Sequence, residues 1–426
     1  MKNYSNPSLS QWPSLCQRPT FDLSEMEARV GAIMKEVKTN GDAALLKYNE
    51  EFDGVKLKSL AVDISTKQFE IDPELADAIK VAKVNIETFH LSQREEAKKV
   101  ETMPGVSCWR KSVAIQNIGL YIPGGSAPLF STLLMLAIPA QIAGCKNIVV
   151  CTPPSKDGLL NEVIGWTCQL LGIKNIFLTG GAQAVAAMSF GTPTISKVDK
   201  IFGPGNQYVT AAKQMAQKYG VAIDMPAGPS EVLVIANDAA YPEFVAADLL
   251  SQAEHGPDSQ VILVSDSEDL ILQVEAKLKK QVEDLPRKET ALQALENSQS
   301  ILVKDLEEAV AFSNSYAPEH LIIATENAEE LSDKVTEAGS IFLGNWSCES
   351  AGDYASGTNH TLPTNGYARN YSGVSLDSFV KKITFQKLTE EGIQKLGPSI
   401  EKMAEAEQLQ AHKNAVSLRL EKLRRP

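Results

Sequence analysis

Two polar side chains sit where an apolar helical pattern runs out. In Leu249-Leu-Ser-Gln-Ala-Glu-His-Gly-Pro-Asp258, the spacing of Ala246, Leu249, Leu250 and Ala253 predicts the last turns of a helix stopped by Gly256-Pro257. Gln252 and His255, three apart, leave one face of that helix together. A neutral imidazole beside a carbonyl oxygen is half of a shell suited to zinc or a similar divalent ion. The same pair at the end of a surface helix needs no ligand at all, so the rest of a shell must come from elsewhere. Tyr316-Ala-Pro-Glu-His-Leu321 offers a second chemistry. Adjacent strand residues point to opposite faces, so Glu319 and His320 can share a site only in a loop; Pro318 and a strand starting at Leu321 predict one. A carboxylate next to an imidazole activates water and shuttles protons, although a salt-bridged surface pair is the plainer reading. Further on, Asp353 is a hard metal ligand by type, and His360 a substrate or acid–base contact. Glu407 and His412 would lie about 140° apart on an unbroken helix, so joint use requires a break near Leu409-Gln410.

Three Gly-rich turns follow predicted strands: Pro123-Gly-Gly-Ser-Ala-Pro128, Thr179-Gly-Gly-Ala-Gln183 and Gly203-Pro-Gly-Asn-Gln207. Each opens onto a helix N-terminus, and together they make a cradle of N–H groups and helix dipoles suited to phosphates. None is GxGxxG, and no acidic residue follows at the usual Rossmann distance. Any one of these turns is also explained by chain geometry alone. Asp224-Met-Pro-Ala-Gly-Pro-Ser-Glu231 bridges two α/β units, where Ser230 can bond a substrate or cap the next element.

Positioning these residues takes a chain that alternates strand and helix. Ser24 is set to cap a helix through Val37; residues 73–98 form a long amphipathic helix with His90 exposed or at the core edge. From Val113, four-to-six-residue apolar runs alternate with helices up to Ile223, and a second series spans Val232 to Leu343. The fold class is α/β: two doubly wound, Rossmann-like parallel-sheet domains without a GxGxxG fingerprint. The expected layout is an N-terminal arm (1–20), a discontinuous first domain (21–112 with 232–375), a second domain carrying the cradle (113–231) and a helical C-terminal tail (376–426). The Gly/Ser/Asn-rich stretch after Gly344 is too long for a simple connector. The tail cannot bury a core of its own.

With 426 residues and a net charge of −12, the chain is ordinary for a globular protein, and nucleic acid or anionic membrane is excluded as main partner. No apolar leader and no membrane-length apolar run is present, so the cytoplasm is the expected compartment. Six Cys show no CxxC pair. Cys145, Cys151 and Cys168 are expected as buried thiols, and Cys348 lies beside the candidate site without an assigned role.

The joint set GLYIPGG, GGAQA, GPGNQYV, DMPAGPSE, SQAEHG, APEHL, GDYASGTNH and AHKNAV, spread from about Asp22 to Arg419, resembles the histidinol dehydrogenase family. The resemblance implies an NAD-dependent, zinc-containing oxidation of L-histidinol through L-histidinal to L-histidine, with two NAD⁺ and one water. It implies zinc ligands at Gln252, His255, Asp353 and His412, and catalysis by Glu319 and His320. Substrate contacts fall on Ser230, His360 and Glu407 besides His320 and the zinc ligands; NAD contacts fall on Tyr121, Gln183 and Asn206. It also implies a homodimer with shared active sites, the C-terminal segment completing the partner's. The same metal set with Glu319 as water activator would serve a zinc hydrolase, and the cradle separates the two. A non-enzymatic scaffold is disfavoured because four of the five His fall in polar motifs.

Overall fold

Short runs of β-branched and aliphatic residues build two parallel sheets. The first runs in the order Lys2–Ser5, Gln299–Leu302, Gln260–Ser265, Glu231–Ala236, His320–Ala324, Ser340–Leu343, all parallel. The second is Asn175–Leu178, Asn147–Thr152, Asn117–Tyr121, Lys200–Phe202, Ala222–Ile223, also parallel. The structure, a computed structural model, describes residues 1–19, 23–124, 129–226 and 228–425, with residues 23–25 by backbone alone. The expected Ser24 cap, residues 125–128 of the first Gly-rich turn and Ala227 therefore lie outside the described residues. No described helix is long and apolar enough to cross a membrane.

Both faces of each sheet are covered, which is why the strands read as continuous apolar runs. In the six-stranded sheet Val232, Val234, Leu263 and Ile322 enter one core, and Leu233, Ile235, Ile262 and Ile323 the other. On the five-stranded sheet the split is Ile118, Leu120 and Val150 against Tyr121, Val149 and Ile201. The α/β, doubly wound class is therefore the fold.

Several local expectations change. Helices Leu23–Asn40, Asp42–Phe52 and Pro73–Ser92, grouped by sequence with residues 232–375, pack on the five-stranded sheet instead. The N-terminal arm supplies an edge strand and the helix Trp12–Leu15, whose Trp12 packs edge-on against Phe312 at 5.4 Å. His90 is fully buried, its Nδ1 2.8 Å from the Ile86 carbonyl. Cys151 and Cys168 are buried, whereas Cys145 is half-buried. The tail is not wholly helical: Val380–Leu388 pairs antiparallel with Val106–Ala114, which also pairs with Val100–Met103. Beyond this ribbon, helices Glu390–Ala406 and Gln410–Arg424 fold on each other.

The ribbon is rooted in the five-stranded sheet. Phe379 stacks on Phe202 with centroids 4.2 Å apart, and Lys200 donates to the Ser378 carbonyl at 2.8 Å. Both rings are fully buried. Phe379→Ala is expected to cost about 3–5 kcal/mol, read as a lowered urea midpoint with the fold otherwise retained.

Candidate active site

Glu319 and His320 meet Gln252 in a buried cluster at the amino edge of the six-stranded sheet. His320 is the first residue of its strand, not a loop residue as expected. The two share a site because the chain turns sharply just before them: Ala317 holds a left-handed φ of 56°. Glu319 Oε2 lies 3.6 Å from His320 Nδ1 and accepts from the Glu231 N–H at 2.9 Å. Gln252 Nε2 donates to Glu319 Oε2 at 3.3 Å and to the Glu231 carbonyl at 3.2 Å; His320 Nδ1 is 3.2 Å from that carbonyl. Burial pushes the Glu319 carboxyl up to about 8, despite the imidazole and N–H it faces. Burial alone would lower His320; the carboxylates of Glu349, Glu319 and Asp353 outweigh it and raise the imidazole to about 10.

The Gln-x-x-His pair ends helix Pro242–Ala253, with His255 just past its C-terminus. His255, Glu349 and Asp353 each offer one ligand atom, all within 4.8 Å of one another. Asp353 Oδ1 is 3.4 Å from His320 Nε2. His255 is exposed as a residue, yet desolvation of its ring by the surrounding groups lowers the imidazole and favours the neutral form that can ligate. Burial would raise Asp353, but the His320 imidazole 3.4 Å away holds it below its ordinary value. The donor set points inward: Gln252 Oε1, Glu349 Oε2 and Asp353 Oδ1 are buried without a hydrogen-bond partner among the described residues. Three such oxygens beside the His255 imidazole fit a divalent cation.

Glu349 was missed by the sequence reading. It opens the short helix Glu349–Tyr354, where an acid reads as a dipole partner, yet it is 1% exposed. A one-turn helix inside the long loop brings it and Asp353 to the same side. His360 closes the loop, with Nδ1 2.8 Å from the Asp353 carbonyl and Nε2 3.1 Å from Thr132 Oγ1 on a helix of the five-stranded sheet. Ser230 is half-buried just before Glu231. Glu407 and His412 are not brought to this cluster: they flank the break between the two C-terminal helices, where Gln408 has φ 59°, and both are exposed.

At the carboxyl edge of the five-stranded sheet lies a cavity of about 1180 Å³, lined by Tyr121, Gln183 and Asn206 together with Gly180 and Gly181. Its volume slightly exceeds the range for drug-sized ligands, roughly 300–1,000 Å³. Tyr121 Oη accepts from the Gly181 N–H at 3.2 Å, and burial pushes its phenol up to about 12. Asn206 caps its helix through Val209 N at 3.2 Å. Gly203, at φ +130°, leaves no room for a Cβ, which would sit 2.1 Å from the Tyr121 carbonyl. A buried ion pair pins that turn: Lys213 Nζ is 2.5 Å from Asp224 Oδ1 and donates to the Gly203 carbonyl at 2.8 Å, while Asp224 Oδ2 accepts the Gly203 N–H at 2.9 Å. Lys213→Met strands a buried carboxylate and is expected to cost about 3–5 kcal/mol, measured by denaturant unfolding.

The family model described as histidinol dehydrogenase matches residues 16–420. Histidinol dehydrogenase of Bacteroides thetaiotaomicron is 56% identical over 427 residues, covering 100% of both chains. That of Escherichia coli K12 is 52% identical, covering 99% of this chain and 98% of its own. The crystal structure of histidinol dehydrogenase from Elizabethkingia anophelis aligns with a TM-score of 0.97 at 60% identity, over 99% of this chain and 98% of that one. Matched from end to end in sequence and in fold, the chain belongs to the histidinol dehydrogenase family, oxidoreductases that oxidise histidinol in histidine biosynthesis.

Proposed function

We propose that this chain oxidises L-histidinol through L-histidinal to L-histidine, consuming two NAD⁺ and one water, at a zinc site completed by the C-terminal segment of a second copy. The observation that carries the reading is the fixed Glu319–His320 pair facing the inward-pointing oxygens of Gln252 and Asp353 beside His255. Gln252, His255 and Asp353 would hold zinc with His412 of the partner subunit, and zinc supplies positioning of the substrate's imidazole and amine. Glu349 adds negative charge next to that group. Tyr121, Gln183 and Asn206 would hold NAD⁺, the hydride acceptor, with helix N-termini facing its phosphates.

The chain's own residues then divide two proton transfers. A cation balancing Glu349 and Asp353 would remove the charge that holds a proton on His320, and the neutral ring then takes the proton of the alcohol as the carbon is oxidised to aldehyde. Glu319 takes a proton from water as it adds to that aldehyde, with His320 3.6 Å away to relay it. The resulting hydrate carries the second hydride. His360, oriented through both ring nitrogens, and Ser230 bound the substrate, with Glu407 reaching in from the partner's tail. A zinc hydrolase would need no dinucleotide-sized cavity.

The test is NADH formation from L-histidinol by zinc-loaded protein; its absence would sink the dehydrogenase reading. Glu319→Gln is expected to leave oxidation of the alcohol largely intact while slowing oxidation of added L-histidinal by about 10²–10⁴-fold. Equal loss in both half-reactions would contradict the division of roles. For tail exchange, a Glu319→Gln chain and a His412→Ala chain are unfolded and refolded together. Half the dimers then hold one intact site, so aldehyde oxidation returns to roughly a quarter of wild type. Refolded mixtures no more active than their components would favour a site built within one chain.

A further inference from the structure

We infer that Arg18, in the N-terminal segment, is a positioning residue for catalysis: it clamps the two backbone segments that hold Glu319 and His320. The inference rests on the roles proposed for those two residues. Arg18 Nε and Nη2 grip both carboxylate oxygens of Glu231 at 2.9 and 3.0 Å, with the two side chains only 8% and 1% exposed. Nη2 also donates to the carbonyls of Tyr316 at 2.6 Å and Ala317 at 3.3 Å, and the guanidinium lies 3.7 Å over the Tyr316 ring. One planar group thus ties the first residue of strand Glu231–Ala236 to the turn that delivers Glu319 and His320.

Each tied segment acts directly on a functional side chain. The Glu231 N–H bonds Glu319, and the Glu231 carbonyl meets Gln252 and His320. Carbonyls 316 and 317 belong to the strained turn at Ala317, whose left-handed backbone disfavours any residue but glycine. Without Arg18 that turn keeps its bonds to Ser313, Gly339 and Ser340 but loses its link to Glu231, so the spacing between the two segments is no longer fixed across the site. Arg18 itself is firmly placed: Lys2–Ser5 pairs with Gln299–Leu302, and the Leu15 and Gln17 carbonyls accept from Gln299 and Gln260 at 2.5 and 3.3 Å. A lysine here would keep the charge yet lose the planar fork.

The test compares wild type, Arg18→Lys, and the paired change Arg18→Met with Glu231→Gln, which leaves no unpaired buried charge and keeps an acceptor for the Asn365 N–H. Both are measured as full-length, zinc-loaded protein. The expected result is a fall in kcat of about 10- to 100-fold with KM for histidinol within about threefold of wild type. Both half-reactions should fall together, unlike the one-sided loss in Glu319→Gln. A folded paired variant with kcat within about twofold of wild type, or a loss confined to KM, would overturn the inference. Glu319→Gln and His320→Asn run beside them: impairment there with intact Arg18 variants defeats only the clamp. Wild-type rates in those two would defeat the proposed roles and the clamp with them.

Discussion

A buried carboxylate is tolerated only when its partners are fixed in advance, and at Glu319 the main chain of a single residue meets that condition. The Glu231 N–H holds the Glu319 oxygen, and the Glu231 carbonyl orients Gln252 and His320. Backbone groups at the start of a central strand cannot wander, because the strand is paired on both sides. A side-chain scaffold would have to spend rotamer entropy to do the same. The Glu319–His320 pair is therefore as rigid as the sheet, while burial raises the carboxyl and the neighbouring carboxylates raise the imidazole.

The two sheets use opposite edges, and their helices make each edge suited to a different charge. Gln252 and His255 stand at the C-terminal end of helix Pro242–Ala253, where the helix dipole is negative and favours a cation. The cavity beside Tyr121 instead faces the starts of helices Gly181–Phe190 and Gln207–Gln217, where the dipole is positive and favours an anion. Ligand sites in open parallel sheets usually lie beyond the carboxyl ends of strands. The five-stranded sheet follows that rule and the six-stranded sheet departs from it. The bond between His360 and Thr132 shows the two regions joined by the loop that also carries Asp353.

Much of this was legible because doubly covered parallel strands write their burial into composition: Val232–Ala236 and Val261–Val264 admit few other readings. The Gly-rich turns were legible for steric reasons, as at Gly203. What failed to show depends on contacts between distant parts of the chain. The ribbon joins residues 106–114 to 380–388, and the Ile383 and Phe385 alternation is diluted by lysines because the strand is half-exposed. His90 is polar by type, but Asn359 and Ile86 satisfy its ring in the core. Arg18 sits in a segment whose composition reads as an arm, and nothing local reveals that its partner lies 213 positions away. Glu349 looks like an ordinary helix-start acid. Sequence motifs named Asp353 nearby, while only the fold adds a second carboxylate beside it.

The separation of His412 from His255 within one chain becomes intelligible from the shape of the tail. Helices Glu390–Ala406 and Gln410–Arg424 bury little beyond Ala404, Val416 and Leu420, and leave Met403, Leu409 and Leu418 exposed. A two-helix hairpin of that size has too small a core to be stable without further contacts. On the proposed reading, its missing surface is the body of a second copy, and the same docking delivers the fourth ligand. Metal binding and assembly then share one free energy. Zinc held by donors from both chains would pull such a dimer together by mass action, and the docked tail would shield the inward-pointing oxygens from water. A site split in this way cannot carry its full complement of ligands in an isolated chain, which ties catalytic competence to assembly.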